Sequence, residues 1–168
     1  HGRLCTFATI YTPSSNQSSV LSSFLSTLDG FAEGDILLLG GFNLTWDPTL
    51  DSTQPHKSHT GSFSKALKWE IRLLGLLDVL RTLFPSDLDY TFFSHPNRSY
   101  SWLDYVFASQ SLKHALVAST IQPISLSDHA LVDVTFDWPA PVTRQKRWFF
   151  PGSLVRDRVL CDDLCRAI

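Results

Sequence analysis

Four apolar residues, Ile36-Leu37-Leu38-Leu39, follow Asp35 and run straight into Gly40-Gly41. A continuous apolar run this short, closed by turn-forming glycines, reads as a strand covered on both faces. Such a strand needs a layer on either side, so helices and further strands must come from the rest of the chain.

The flanking text supplies them. Leu4 to Tyr11 (LCTFATIY) is rich in β-branched and aromatic residues and stops at Thr12-Pro13, which predicts a strand. Val20, Leu21, Phe24, Leu25 and Leu28 recur at helical spacing, which predicts an amphipathic helix over 18–28 with serines outward. Thr45 to Ser62 is polar and turn-rich and reads as a surface loop. Phe63 to Leu83 reads as a helical stretch interrupted near Gly75 and stopped by Pro85. Short strands are expected over Tyr90–Phe93, Ser101–Ala108, Val117–Ile124 and Ala130–Trp138. In the last of these Val132, Val134 and Phe136 alternate with Asp133 and Thr135, giving one buried face and one wet face. Strands and helices therefore interleave in an α/β pattern without internal repeats.

Composition narrows the class. Hydrophobic residues make up 43% of the 168 and charged residues 18%, a globular balance that argues against disorder. The nearest approach to a membrane span, Leu73 to Leu80, is too short and contains Asp78. A formal net charge of −2 gives no global attraction for nucleic acid, so phosphate binding would have to be local. Cys5, Cys161 and Cys165 are odd in number and do not read as a disulfide framework, and the last two lack further ligands for zinc. Three Asn-x-Ser/Thr triplets, at Asn16, Asn43 and Asn97, matter only in a secreted chain. The chain opens at His1 and contains no methionine, which reads as part of a longer polypeptide. Pro139 to Pro141 mark a boundary, giving a domain over 1–138 and a more charged linker over 139–168.

Polar residues gather where strands end: Tyr11, Gly41-Phe42-Asn43, Asp104 within SWLDYVFA, and Asp128-His129. Ser127-Asp128-His129 is not a hydrolase triad, because adjacent side chains diverge and a relay is assembled from separate segments. Metal-assisted phosphodiester hydrolysis suits the set better. It needs a carboxylate for a hard cation, a base or orienting group for water, and donors to phosphoryl oxygens. Taken singly, each residue has a plainer explanation: Asn43 as a turn residue, Tyr11 as core, Asp104 as a solvated strand residue, His129 as a satisfied loop histidine.

Their order along the chain points to a family. LLLGGFN, SYSWLDYVFAS and SLSDHALVDVTF resemble three signature segments of the endonuclease/exonuclease/phosphatase superfamily, and TIYTP resembles the tyrosine-bearing strand before them. LLDVLRTLFPSDLDYTFFSHPNRSYSWLDYVFAS is similar to the matching stretch of LINE-type retrotransposon endonucleases, and KRWFFPGSLVRD to the segment those polyproteins place before reverse transcriptase. The resemblance implies a DNase-I-like four-layer α/β sandwich, two mixed sheets flanked by helices, here lacking N-terminal strands. It implies that His129 acts on water or the transition-state phosphate, with Asp104 orienting its ring. Asn43 would position the nucleophile or a phosphate oxygen, Tyr11 would contact phosphate, and Asp128 would stand close to a magnesium ion. DNA is the implied partner, within a larger polyprotein containing reverse transcriptase and resident in nucleus or cytoplasm.

Two departures from the family pattern bear on activity. Gly41 stands where the family has an aspartate that activates water or protonates the leaving group, and the family's N-terminal metal-ligating Asn and Glu belong to segments upstream of Tyr11. A smaller departure is Ser14, where related retrotransposon enzymes tend to carry Asn in a nucleic-acid-contacting loop. An inactive or strongly impaired endonuclease is therefore expected, with exposed apolar sheet surface in the isolated chain. Two other readings stay open: a non-catalytic nucleic-acid-binding relic, and a superfamily phosphatase acting on a phosphoinositide or phospholipid.

Overall fold

The computed structural model describes residues 4–55, 61–122 and 127–138. All of them lie within His1–Trp138, the first of two units into which the chain divides. The segment over 139–168, expected as a linker and carrying Cys161, Cys165 and KRWFFPGSLVRD, lies outside the described residues.

The central layer is built around β2 (Asp35–Gly41). It pairs in parallel with β1 (Cys5–Tyr11), the two being joined by helix α1 (Gln17–Phe31). The small strands β3 (Leu44–Thr45) and β4 (Gly61–Ser62) pair with each other, and helix α2 (Lys65–Leu73) follows. Beyond it come strand β5 (Leu76–Asp78) and the short helix α3 (Val79–Leu83). A hairpin of β6 (Phe92–Ser94) and β7 (Ser99–Ser101) leads into β8 (Asp104–Ser109), a 3₁₀ turn (Gln110–Ala115), β9 (Leu116–Gln122) and β10 (Leu131–Phe136). β8 lies antiparallel between β2 and β5, giving a mixed sheet of order β1-β2-β8-β5. β9 and β10 form a separate antiparallel pair.

Alternation along the strands sends side chains to two different neighbours. Ile36 and Leu38 of β2, with Ala8, Ile10, Tyr105 and Phe107, face Leu21, Leu25 and Leu28 of α1 and Leu67 and Ile71 of α2. Each large aliphatic side chain buried there contributes about 1.5–3 kcal/mol. Leu37, Val106 and Ala108 face the other way, against Val134 and Phe136 of β10. The layers are helices, mixed sheet, and second sheet.

Several expectations need correction. Leu76–Asp78 is an edge strand rather than helix: Gly75 adopts φ 66, ends α2 and lets the chain turn along β8. The run over Ser101–Ala108 is two strands, because both Trp102 and Leu103 turn inward, each 2% exposed, where a strand would alternate them. Strand character near Tyr90 begins at Phe92. The β2 run is also not covered throughout. Leu39 is 37% exposed, and with Phe7 and Leu131, themselves 72% and 49% exposed, it borders an apolar groove of ≈ 340 Å³ between the two sheets. The strand expected over Val117–Ile124 begins at Leu116, and its last two positions lie outside the described residues.

A buried polar network holds the loop after β3 to β8. The Asp51 carboxylate accepts from Arg81 at 2.5 Å, from the Tyr105 hydroxyl at 3.0 Å, and from the Trp46 and Asp47 amides at 2.8 Å. The Arg81 guanidinium lies 4.7 Å from the Trp102 ring centroid. Asp78, beside this network, caps α3 through the Arg81 amide, yet its second oxygen has no partner among the described residues. Burial pushes its carboxyl up to about 6, and Asp51 adds to the rise against the pull of the Arg81 amide and charge.

Because the folded-state value lies above the ordinary 3.8, the native chain holds this proton more tightly than the unfolded chain. The stabilisation is full below about pH 4 and is lost as pH rises through about 6, a difference of up to about 3 kcal/mol. Asp78→Asn removes that slope. Urea unfolding at pH 5 and pH 8 should show a larger loss of stability in the native sequence than in the variant.

Candidate active site

The register of the mixed sheet lines up three of the expected residues. Tyr11 is opposite Gly41, and Gly41 is opposite Asp104, so the three occupy one row across β1, β2 and β8. Gly40 makes the row possible. It adopts φ 143, and a Cβ there would fall 1.9 Å from the Ile10 carbonyl oxygen, so no other residue fits. Beyond the row the Phe42 amide donates to the Leu103 carbonyl at 2.8 Å and the Thr12 amide to the Gly41 carbonyl at 2.9 Å, which keeps the three strand ends together.

His129 arrives from the segment before β10 and joins the row. Its Nδ1 lies 2.8 Å from Oδ2 of Asp104, with the two side chains 26% and 22% exposed. A carboxylate can only accept, so this contact places the ring proton on Nδ1 when the imidazole is neutral. Nε2 then carries a lone pair, the state needed to take a proton from water. The ring is backed by Phe92, 4.8 Å between centroids. Ser127 accepts from the His129 amide at 3.1 Å, a local turn contact that agrees with the rejection of a serine triad.

The remaining expected residues sit around this pair in different ways. Tyr11 is 73% exposed at the end of β1. Asn43 is half-buried at φ 50, and its Nδ2 donates to the Thr12 carbonyl at 2.6 Å. Asn43 is thus tied to the end of the tyrosine-bearing segment and shapes the rim of the site. Asp128 is exposed, and its carbonyl accepts from the Phe93 amide at 2.9 Å. A shallow pocket of ≈ 200 Å³ contains Asp128 and His129 with Tyr90, Phe93, His95 and Tyr100.

Gly41 itself has extended geometry that any residue adopts. A Cβ there would meet the Tyr11 ring at 3.0 Å and Oδ1 of Asp104 at 3.2 Å. A side chain fits if the exposed tyrosine ring yields by a few tenths of an ångström. An aspartate at 41 would stand beside Asp104 and Tyr11, within the same row.

The described residues do not make up a magnesium site. No group of three or more His, Cys, Asp or Glu among them is placed to hold a metal ion. Asp104 is engaged with His129, which leaves Asp128 as the carboxylate at this rim, whereas magnesium takes six oxygens in near-octahedral geometry.

Sequence reasoning missed the parts packed around the pair: the Phe92 ring against His129, Thr91, whose hydroxyl accepts from the Leu103 and Asp104 amides, and, one step away, Asp51 with Arg81 against Trp102. Thr91 lies within YTFF, where nothing but its polar character between aromatics sets it apart. The Asn43 geometry gives a direct test. Asn43→Ala should cost about 1–2 kcal/mol through the lost hydrogen bond and the positive φ. Asn43→Gly should cost less, since glycine adopts that φ freely. Equal losses in chemical denaturation would contradict the role given to the backbone.

Comparison with known proteins extends this picture. No family model matches the chain. Over 164 residues it is 27% identical to the Transposon TX1 uncharacterized 149 kDa protein of Xenopus laevis, covering 93% of this chain and 12% of that protein. In structure it is similar to an AP endonuclease from Archaeoglobus fulgidus, with TM-score 0.67, 19% identity, and coverage of 80% of this chain and 62% of the other. It is also similar to a 3′–5′ exonuclease from Neisseria meningitidis, with TM-score 0.61, 21% identity, and coverage of 77% and 60%. The chain spans less than two thirds of each of these proteins. It therefore has the DNase-I-like α/β fold of AP endonucleases and 3′–5′ exonucleases, as its motifs led one to expect, and is similar in sequence to a transposon protein.

Proposed function

We propose that this chain is part of a DNA endonuclease of a non-LTR retrotransposon, cleaving phosphodiester bonds, and that it is impaired by Gly41. The observation that carries the reading is the His129–Asp104 pair, 2.8 Å apart and in line with Gly41 and Tyr11. Similarity to a transposon protein favours retrotransposition over lipid or phosphoinositide chemistry.

In the competent form of such a site, Asp104 holds the His129 ring with Nε2 outward, toward an attacking water or a phosphoryl oxygen. The exposed Tyr11 hydroxyl donates to a non-bridging phosphate oxygen, and Asn43 keeps the end of that segment in position. Glycine at 41 removes a carboxylate from the row, and with it the general acid or base worth about 10²–10⁴-fold in rate. Magnesium, if bound in the whole protein, would neutralise phosphate charge and would draw on Asp128. Its other ligands would come from beyond the described residues. The apolar groove beside Phe7, Leu39 and Leu131 supports the same view, since sheet surface of this kind is ordinarily covered. The segment over 139–168 fits a linker toward reverse transcriptase within a larger polyprotein.

Nicking of supercoiled plasmid tests the reading. The folded chain should nick at background level in Mg²⁺. A longer protein carrying the upstream region and Gly41→Asp should nick in a manner abolished by EDTA and by His129→Ala. Nicking by this chain alone that requires both Mg²⁺ and His129 would overturn the impairment. No gain with both changes would count against the endonuclease. Salt-sensitive DNA binding without any cleavage would instead favour a binding relic.

A further inference from the structure

We infer that Thr91 is a positioning residue for the Asp104–His129 pair, which rests on the reading of that pair as the reacting one. Thr91 is 1% exposed and precedes β6. Its Oγ1 accepts two successive backbone N–H groups, from Leu103 at 3.0 Å and from Asp104 at 3.1 Å. Its carbonyl accepts from the amide of Ala130, the neighbour of His129, at 2.7 Å. Its own amide donates to the Ser101 carbonyl at 3.1 Å. One buried residue therefore holds the backbone of Asp104 and of the residue next to His129, although the pair lies 25 positions apart in sequence.

The double acceptance by Oγ1 has a specific consequence. Trp102 and Leu103 interrupt the chain between β7 and β8, and the amides of Leu103 and of Asp104, the first residue of β8, both turn to the Thr91 hydroxyl. A buried N–H without an acceptor is costly, and the threonine hydroxyl satisfies both. From the other side, the Trp102 indole Nε1 donates to the Asp104 carbonyl at 2.9 Å. Asp104 is held at its amide and at its carbonyl, which aims its carboxylate at His129 rather than along the strand. On the His129 side, the Phe93 amide donates to the Asp128 carbonyl at 2.9 Å, beside the Ala130 contact. The ring thus meets the carboxylate through backbone positions that Thr91 sets.

The readout is the proton position on the His129 ring, seen in the ¹⁵N shifts of histidine-labelled protein at a pH where the ring is neutral. It does not depend on turnover, so a chain that fails to nick DNA leaves the inference testable, and a shift pattern unrelated to Thr91 leaves the proposed activity standing. The native chain should show the Nδ1–H form. Thr91→Val keeps the shape and removes the acceptor, and it should shift most of the population to the Nε2–H form that an unconstrained histidine side chain prefers. Thr91→Ser keeps the hydroxyl and should restore the native pattern. Thr91→Cys, close in size with a weak acceptor, should fall between them and serves if the valine variant does not fold. A folded valine variant with the native ¹⁵N pattern, a cysteine variant with the native pattern, or a serine variant that fails to restore it would each overturn the inference.

Discussion

Leu38 has no exposed surface, and the strand that carries it must satisfy helices on one face and strands on the other. That double burial is the constraint from which the rest follows. It places β1 and β8 on either side of β2 and orders their ends. The apolar run ends at Gly40, whose φ 143 lets β2 pass close against the Ile10 carbonyl, and Gly41 continues the strand opposite Tyr11 and Asp104 in one row. The site is thus a property of strand register, and His129 is added to it by the backbone contacts of Thr91 and Phe93.

The helix α1 and strands β1, β2 and β10 were legible because apolar periodicity reports burial directly, and these elements bury one stripe or both faces. Tyr11, Asn43, Asp104 and His129 were legible through their order in recognisable segments. What periodicity could not show is where burial comes from irregular backbone. Leu76–Asp78 carries two leucines at the end of a helical pattern, and only its pairing with β8 makes it a strand. Trp102 and Leu103 read as continuous strand because they sit within a run of apolar and aromatic residues, yet both are buried, Trp102 against Arg81 and the Leu103 amide on Thr91. Asp51 sits in a polar, turn-rich stretch that reads as surface. It is fully buried because Arg81 and Tyr105, from distant segments, satisfy its charge and lone pairs.

The chemistry divides in the same way. A histidine oriented by a carboxylate is complete within the described residues, and it needs no ligand to form. The acidic partner at position 41 and a set of oxygen donors for a hard cation are a different matter. Glycine occupies the first place, and the second would require carboxylates or carbonyls besides Asp128. In the proposed mechanism such a site keeps its base and orienting group and lacks the charge that holds a cation against phosphate. That separation is consistent with a DNase-I-like fold and a histidine–aspartate pair in a chain proposed to be impaired.

The described residues keep the histidine–aspartate pair without a cation site of their own. Calorimetric titration of the folded chain with Mg²⁺ should therefore show no saturable binding up to about 10 mM, since one exposed carboxylate retains a hydrated magnesium ion weakly. Saturable, stoichiometric binding at submillimolar Mg²⁺, lost on Asp128→Asn, would contradict it.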